Sequence, residues 1–101
     1  MNFALISPRE VNSYLSRRDI LIIDLRPPEE YWKSHLKGAV SIPYEQLQKK
    51  GIPADKVLFF YCDRGSMSMA AAREYAKKGY RTKTLVGGFE ACREEDKESF
   101  R

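Results

Sequence analysis

Lys56-Val57-Leu58-Phe59-Phe60-Tyr61-Cys62-Asp63-Arg64-Gly65-Ser66-Met67-Ser68 leads straight into Met69-Ala70-Ala71-Ala72-Arg73-Glu74-Tyr75-Ala76-Lys77-Lys78. The opening residues form an unbroken apolar run, the mark of a strand buried on both faces. The closing residues are rich in strong helix formers, and Gly79 stands where a helix would stop. A buried strand, a short loop and a helix make half of a βαβ unit, so this stretch points to an α/β sheet protein. Cys62 lies at the junction. The first-turn N–H groups of a helix lack partners within it, and its aligned dipoles place partial positive charge there, so an anion is favoured. Thiols at helix N-termini or beside Arg are the nucleophilic ones. The alternative is a buried cysteine closing a core strand.

Outward from this stretch, strand and helix signals alternate, which predicts a largely parallel sheet. Phe3-Ala4-Leu5-Ile6 reads as a short first strand, and Ser7-Pro8-Arg9-Glu10 as a capping box with proline at the first helical position. Val11, Tyr14 and Leu15 give the helix that follows its apolar face. Ile20-Leu21-Ile22-Ile23-Asp24-Leu25 is a second strand, and Pro27-Pro28-Glu29-Glu30-Tyr31-Trp32 starts another helix. Residues 39–42 form a third strand ending at Pro43, residues 44–50 a helix closed by Gly51, and residues 56–61 the fourth strand. Arg81-Thr82-Lys83-Thr84-Leu85-Val86 is the fifth, after which Gly87-Gly88 turns the chain into a final helix over about 89–97.

With 101 residues, 43% of them hydrophobic, the chain suits one domain over residues 1–101 with a single modest core. It has no apolar run long enough to span a bilayer and no leader-like start, so the expectation is a cytoplasmic protein without membrane attachment. Two cysteines, Cys62 and Cys92, are too few for a disulfide framework. One histidine and no paired-cysteine motif leave no metal site in view, and no cofactor is expected. The net charge of +4 is a mild attraction for anions. Without a basic stripe interleaved with aromatics it does not suggest nucleic acid.

Several segments, in order, resemble the rhodanese homology domain. Asp24-Leu25-Arg26, Glu30-Tyr31 and His35-Leu36-Lys37-Gly38-Ala39-Val40-Ser41-Ile42-Pro43 are similar to that family's D-[VL]-R, E-[YF] and G-H-I-x-G-A-x-x-[IL]-P signatures, with Ser34 in place of the usual glycine. Phe60-Tyr61-Cys62-Asp63-Arg64-Gly65-Ser66-Met67-Ser68 resembles its active loop. Gly87-Gly88-Phe89-Glu90-Ala91 resembles its closing G-G-[IF]-x-A-W, with Cys92 in the tryptophan's place. The resemblance implies a three-layer α/β/α fold around a mostly parallel five-stranded sheet, with the cysteine loop at the C-terminal end of the fourth strand. It also implies sulfur transfer: Cys62 takes sulfane sulfur from a donor such as thiosulfate as a persulfide and gives it to a thiol, cyanide or a thioredoxin-like acceptor.

On that resemblance Cys62 is the nucleophile, and Asp63, Arg64, Gly65, Ser66, Met67 and Ser68 form the donor-binding loop. Many members carry arginine five positions after the cysteine, where this chain has Met67. Arg64 is therefore the candidate cation for the donor, the alternative being a side chain facing solvent. Ser66 and Ser68 are candidates for hydroxyl donors to the persulfide or for helix caps. Asp63 is expected to turn outward, away from an incoming anion. Asp24 and Arg26 are supporting residues that brace the loop, with an Arg26–Glu30 pair as the alternative. His35 is expected to hold a turn by a buried hydrogen bond, Cys92 to pack in the core, and Tyr31, Trp32, Phe59 and Phe60 to be core or rim aromatics. Two further readings remain open: a persulfide carrier or interaction module serving partner proteins, and a cysteine-dependent phosphatase or arsenate reductase of the same fold. The latter needs a loop-end arginine around the oxyanion, and this chain has none.

Overall fold

A computed structural model describes residues 3–99. Five strands form the main sheet: β1 (Phe3–Ile6), β2 (Ile20–Asp24), β4 (Val40–Ser41), β5 (Val57–Tyr61) and β6 (Thr82–Leu85), in the order β1-β6-β5-β2-β4 with every pairing parallel. The intervening β3 (Ser34–Leu36) belongs to a separate two-stranded ribbon. Parallel strands need crossovers, and burial on both faces explains why β5, the central strand, is apolar at every position and wholly buried.

The alternation of β5 sorts the core into two layers. Val57, Phe59 and Tyr61 face one side with Ile6, Val11, Ile20, Ile22, Leu36 and Phe89. Leu58, Phe60 and Cys62 face the other with Ile23, Leu25, Leu47, Ala71, Ala72 and Tyr75. The second side is covered by α2 (Ser66–Lys77) and a 3₁₀ turn over Tyr44–Lys49. The first is covered by a 3₁₀ turn over Pro8–Ser13, α1 (Pro28–Lys33) and the Phe89 segment. This is the expected three-layer arrangement. The capping box also forms: Ser7 Oγ accepts from the Arg9 amide, and the Glu10 carboxylate accepts from the Ser7 amide at 2.9 Å.

The chain past Gly88 departs from the expected helix over 89–97. A 3₁₀ turn covers only Phe89–Ala91, a second covers Glu94–Asp96, and Lys97–Ser99 forms β7, antiparallel to β3 in the register Leu36↔Lys97, His35↔Glu98 and Ser34↔Ser99. The helix-forming composition of Glu94-Glu95-Asp96-Lys97-Glu98 yields to tertiary pairing, because β3 offers this segment a strand edge and the Asp96 carbonyl accepts from the Lys37 amide at 3.0 Å. Among the described residues no helix is long and apolar enough to cross a membrane.

Candidate active site

α2 begins at Ser66, three residues before the alanine-rich run, and that early start shapes the site. Gly65 is its N-cap in a left-handed conformation, φ 109°, which a side chain would strain. The turn folds the chain back so that the amides of Gly65 and Ser68 both donate to Cys62 Sγ at 3.3 Å. The sulfur thus sits at the first turn of a 12-residue helix with two backbone donors aimed at it. Ser68 contributes that amide rather than its hydroxyl, which donates to the Gly65 carbonyl at 3.2 Å and accepts from Thr84 Oγ1 at 2.8 Å. Ser66 is the first helical residue, so capping falls to Gly65 instead.

A second turn clamps the loop from behind. The Phe89 amide donates to the Cys62 carbonyl at 2.8 Å, and the Glu90 amide to the Asp63 carbonyl at 3.2 Å. Gly88, at φ 69°, passes so close to Asp63 and Arg64 that any Cβ there would collide with their backbone. The Gly87-Gly88 pair is therefore part of the cysteine loop's seat.

Beside the loop lies a buried polar cluster. β2 and β5 align Asp24 with Tyr61, and the Tyr61 hydroxyl donates to Asp24 Oδ2 at 2.7 Å while accepting from the Leu36 amide at 3.0 Å. Arg26 Nε donates to Asp24 Oδ1 at 3.0 Å and Nη2 to Oδ2 at 2.7 Å. Nη2 also reaches the Ser34 carbonyl at 2.6 Å. Arg26 pairs with Asp24 rather than Glu30, which meets Lys33 at 3.4 Å. The guanidinium also lies over the Phe89 ring, 4.0 Å from its centroid. Burial by itself disfavours its charge, yet the hydrogen bonds and charge of Asp24 outweigh that and raise its pKa. Burial, reinforced by the Asp24 charge, pushes the Tyr61 phenol far above its ordinary value, so it remains a donor.

Cys62, 4% exposed, borders a cavity of about 270 Å³ bounded also by Arg26, Asp63, Arg64, Met67 and Glu90. Larger clefts of about 460 and 480 Å³ lie at the opposite end of the strands and along α2, and neither is lined by a cysteine. At the rim, Arg64 is 84% exposed and ion-paired to Glu90 at 3.3 Å. Asp63 is about half exposed, with Oδ1 4.0 Å from Arg26 Nη1. Met67 is an exposed apolar side chain at the mouth.

Two other singled-out residues sit outside this cavity's lining. His35 is buried, stacked on Tyr31 at 3.8 Å, with Nδ1 2.9 Å from the Tyr31 carbonyl oxygen and Nε2 3.5 Å from Glu98. Cys92 packs in the core, where burial, opposed only in part by Lys97, pushes its thiol from 9.0 up to about 11. Between those values the unfolded chain gives up this proton while the folded chain keeps it, so the folded state loses relative stability as pH rises. The stability difference between the native chain and Cys92→Ala should narrow steadily from pH 9 to 11 in chemical denaturation.

Comparison with known proteins supports the fold described above. The model of the rhodanese-like domain matches residues 7–95. The chain is 31% identical to the thiosulfate sulfurtransferase GlpE of Coxiella burnetii, covering 89% of this chain and 87% of that protein. It is 37% identical to a tRNA sulfurtransferase of Desulfurococcus amylolyticus over 69% of its own length, which is only 14% of that much longer protein. Among solved structures, the rhodanese homolog TT1651 of Thermus thermophilus superposes with a TM-score of 0.70 at 30% identity, covering 86% of this chain and 98% of that one.

Proposed function

The chain belongs to the rhodanese-like domain family, and from that premise we propose that it is a sulfurtransferase carrying sulfane sulfur on Cys62. The observation that carries this reading is the Cys62 sulfur held at the first turn of α2 by two amide donors and bordering an open cavity. In the first half-reaction the thiolate attacks the outer sulfur of a donor such as thiosulfate. A sulfur–sulfur bond forms to Cys62, the bond to the sulfonate sulfur breaks, and its electron pair leaves with sulfite. In the second, a thiol, cyanide or thioredoxin-like nucleophile attacks the outer persulfide sulfur, and the pair returns to Cys62 as the thiolate. Splitting the transfer lets one set of amide donors hold negative charge on the cysteine sulfur and on the persulfide in turn. Arg64, exposed and ion-paired to Glu90, is left with little net charge to attract an anionic donor.

Phosphoryl transfer fits this loop less well. It calls for a ring of donors around three oxygens, and here the loop carries exposed Met67 where a cation would be needed. The test is direct: incubation with thiosulfate should add one sulfur atom to the intact protein, mapped by peptide mass to Cys62, and cyanide should then release thiocyanate. Aryl phosphate hydrolysis should stay at background under the same conditions. Cys62-dependent phosphatase turnover without persulfide formation would refute the reading.

A further inference from the structure

The fold does not use all of the hydrogen-bonding capacity of Arg26. Nε and Nη2 are committed to Asp24 and Ser34, whereas Nη1 donates to no acceptor among the described residues. Its nearest carboxylate oxygen, on Asp63, stands off at 4.0 Å, beyond hydrogen-bond reach. The Arg26 side chain is only 4% exposed, yet it borders the cavity that holds Cys62. A buried guanidinium with an unspent N–H edge beside a nucleophile is suited to an oxyanion.

Resting on the sulfur-transfer reading above, we propose that Arg26 Nη1 binds the anionic end of the sulfur donor, a sulfonate or similar oxyanion, and thereby favours donors that carry one beside the transferred sulfur. The side chain is ordered before the donor arrives, because Asp24 holds two of its nitrogens and Phe89 supports its face. Little conformational freedom remains to be lost on binding. Arg64 has no such restraint: it is mostly exposed and turned to Glu90. The half-exposed Asp63 carboxylate, 4.0 Å from Nη1, is the anion nearest that edge, and its charge competes with that of the donor.

The experiment compares kcat/KM for thiosulfate with that for glutathione persulfide, which has no oxyanion next to its outer sulfur. Arg26→Lys keeps a cation for Asp24 but loses the planar fork, so the thiosulfate-to-persulfide ratio should fall roughly ten- to a hundredfold. A ratio unchanged from the native protein, whether both activities fall together or neither falls, overturns the assignment while leaving the function intact. Should Arg26→Lys fail to fold, Asp63→Asn decides: removing the competing carboxylate should lower KM for thiosulfate about threefold or more, and an unmoved KM overturns the proposal. A native protein that neither donor loads at Cys62 defeats the sulfur-transfer reading itself, and this inference with it.

Discussion

Cys62→Ser is expected to abolish sulfur loading and to cut cyanide-dependent thiocyanate formation by roughly a thousandfold or more, to the level of the buffer blank. The serine hydroxyl is not ionised near neutral pH and forms no persulfide, so neither half-reaction has an intermediate to pass through. The fold should survive. Oxygen is smaller than sulfur, so nothing is overpacked, and the Gly65 and Ser68 amides that now donate to Sγ have a hydroxyl oxygen to donate to instead. A matched thermal midpoint for native and variant protein, with lost loading in the variant, isolates the chemistry. Cys92→Ser should load normally. Persistent loading in Cys62→Ser, lost only when Cys92 is replaced, would move the nucleophile to the other cysteine.

Asp24→Ala has the largest effect expected on stability. The Asp24 carboxylate is fully buried and serves three groups at once: the Arg26 side chain, the Arg26 amide at 2.9 Å and the Tyr61 hydroxyl. Removing it leaves a guanidinium and a phenol buried without their acceptor, and breaking a buried pair from one side costs about 3–5 kcal/mol. Domains of this size have about 5–15 kcal/mol in total, so the thermal midpoint should fall by roughly 15 °C or more. Tyr61→Phe is the contrasting case. It takes one hydrogen bond from Asp24 and leaves the Leu36 amide without its acceptor, a loss of about 1–3 kcal/mol, because the charge pair stays whole. Equal, small shifts in both variants would show that the cluster is hydrated and weakly coupled.

The sulfur-transfer reading gives these two substitutions different signatures. Cys62→Ser acts on chemistry at constant stability. Asp24→Ala acts on stability first and reaches the site only through Arg26, which borders the cavity, and through the β5 end from which the cysteine loop departs.

Neighbouring residues, acting on one another along the chain, are enough to specify part of this protein. An apolar run followed by alanine-rich chain makes β5, a short loop and α2, and local pattern alone therefore places Cys62 at a helix N-terminus. The capping box at Ser7 and the alternation of strands and helices are local in the same sense. Whatever depends on register, or on segments far apart in the chain, is settled only by packing. Asp24 meets Tyr61 because β2 and β5 pair in one particular register, and that pairing, with Arg26 two residues on, turns two expected supports into a buried cluster that presents Arg26 to the cavity. The seat under the loop comes from Gly88, 26 residues beyond Cys62, whose lack of a side chain matters only once its backbone lies against Asp63. A helical composition over 94–98 gave way to the β3–β7 ribbon because a strand edge was there to pair with. Arg64, the cation closest to Cys62 in sequence, turned outward to Glu90, while Arg26, 36 positions earlier, was brought to the cavity wall: local sequence sets which conformations are cheap, but burial and charge pairing across the fold set which side chains face the sulfur.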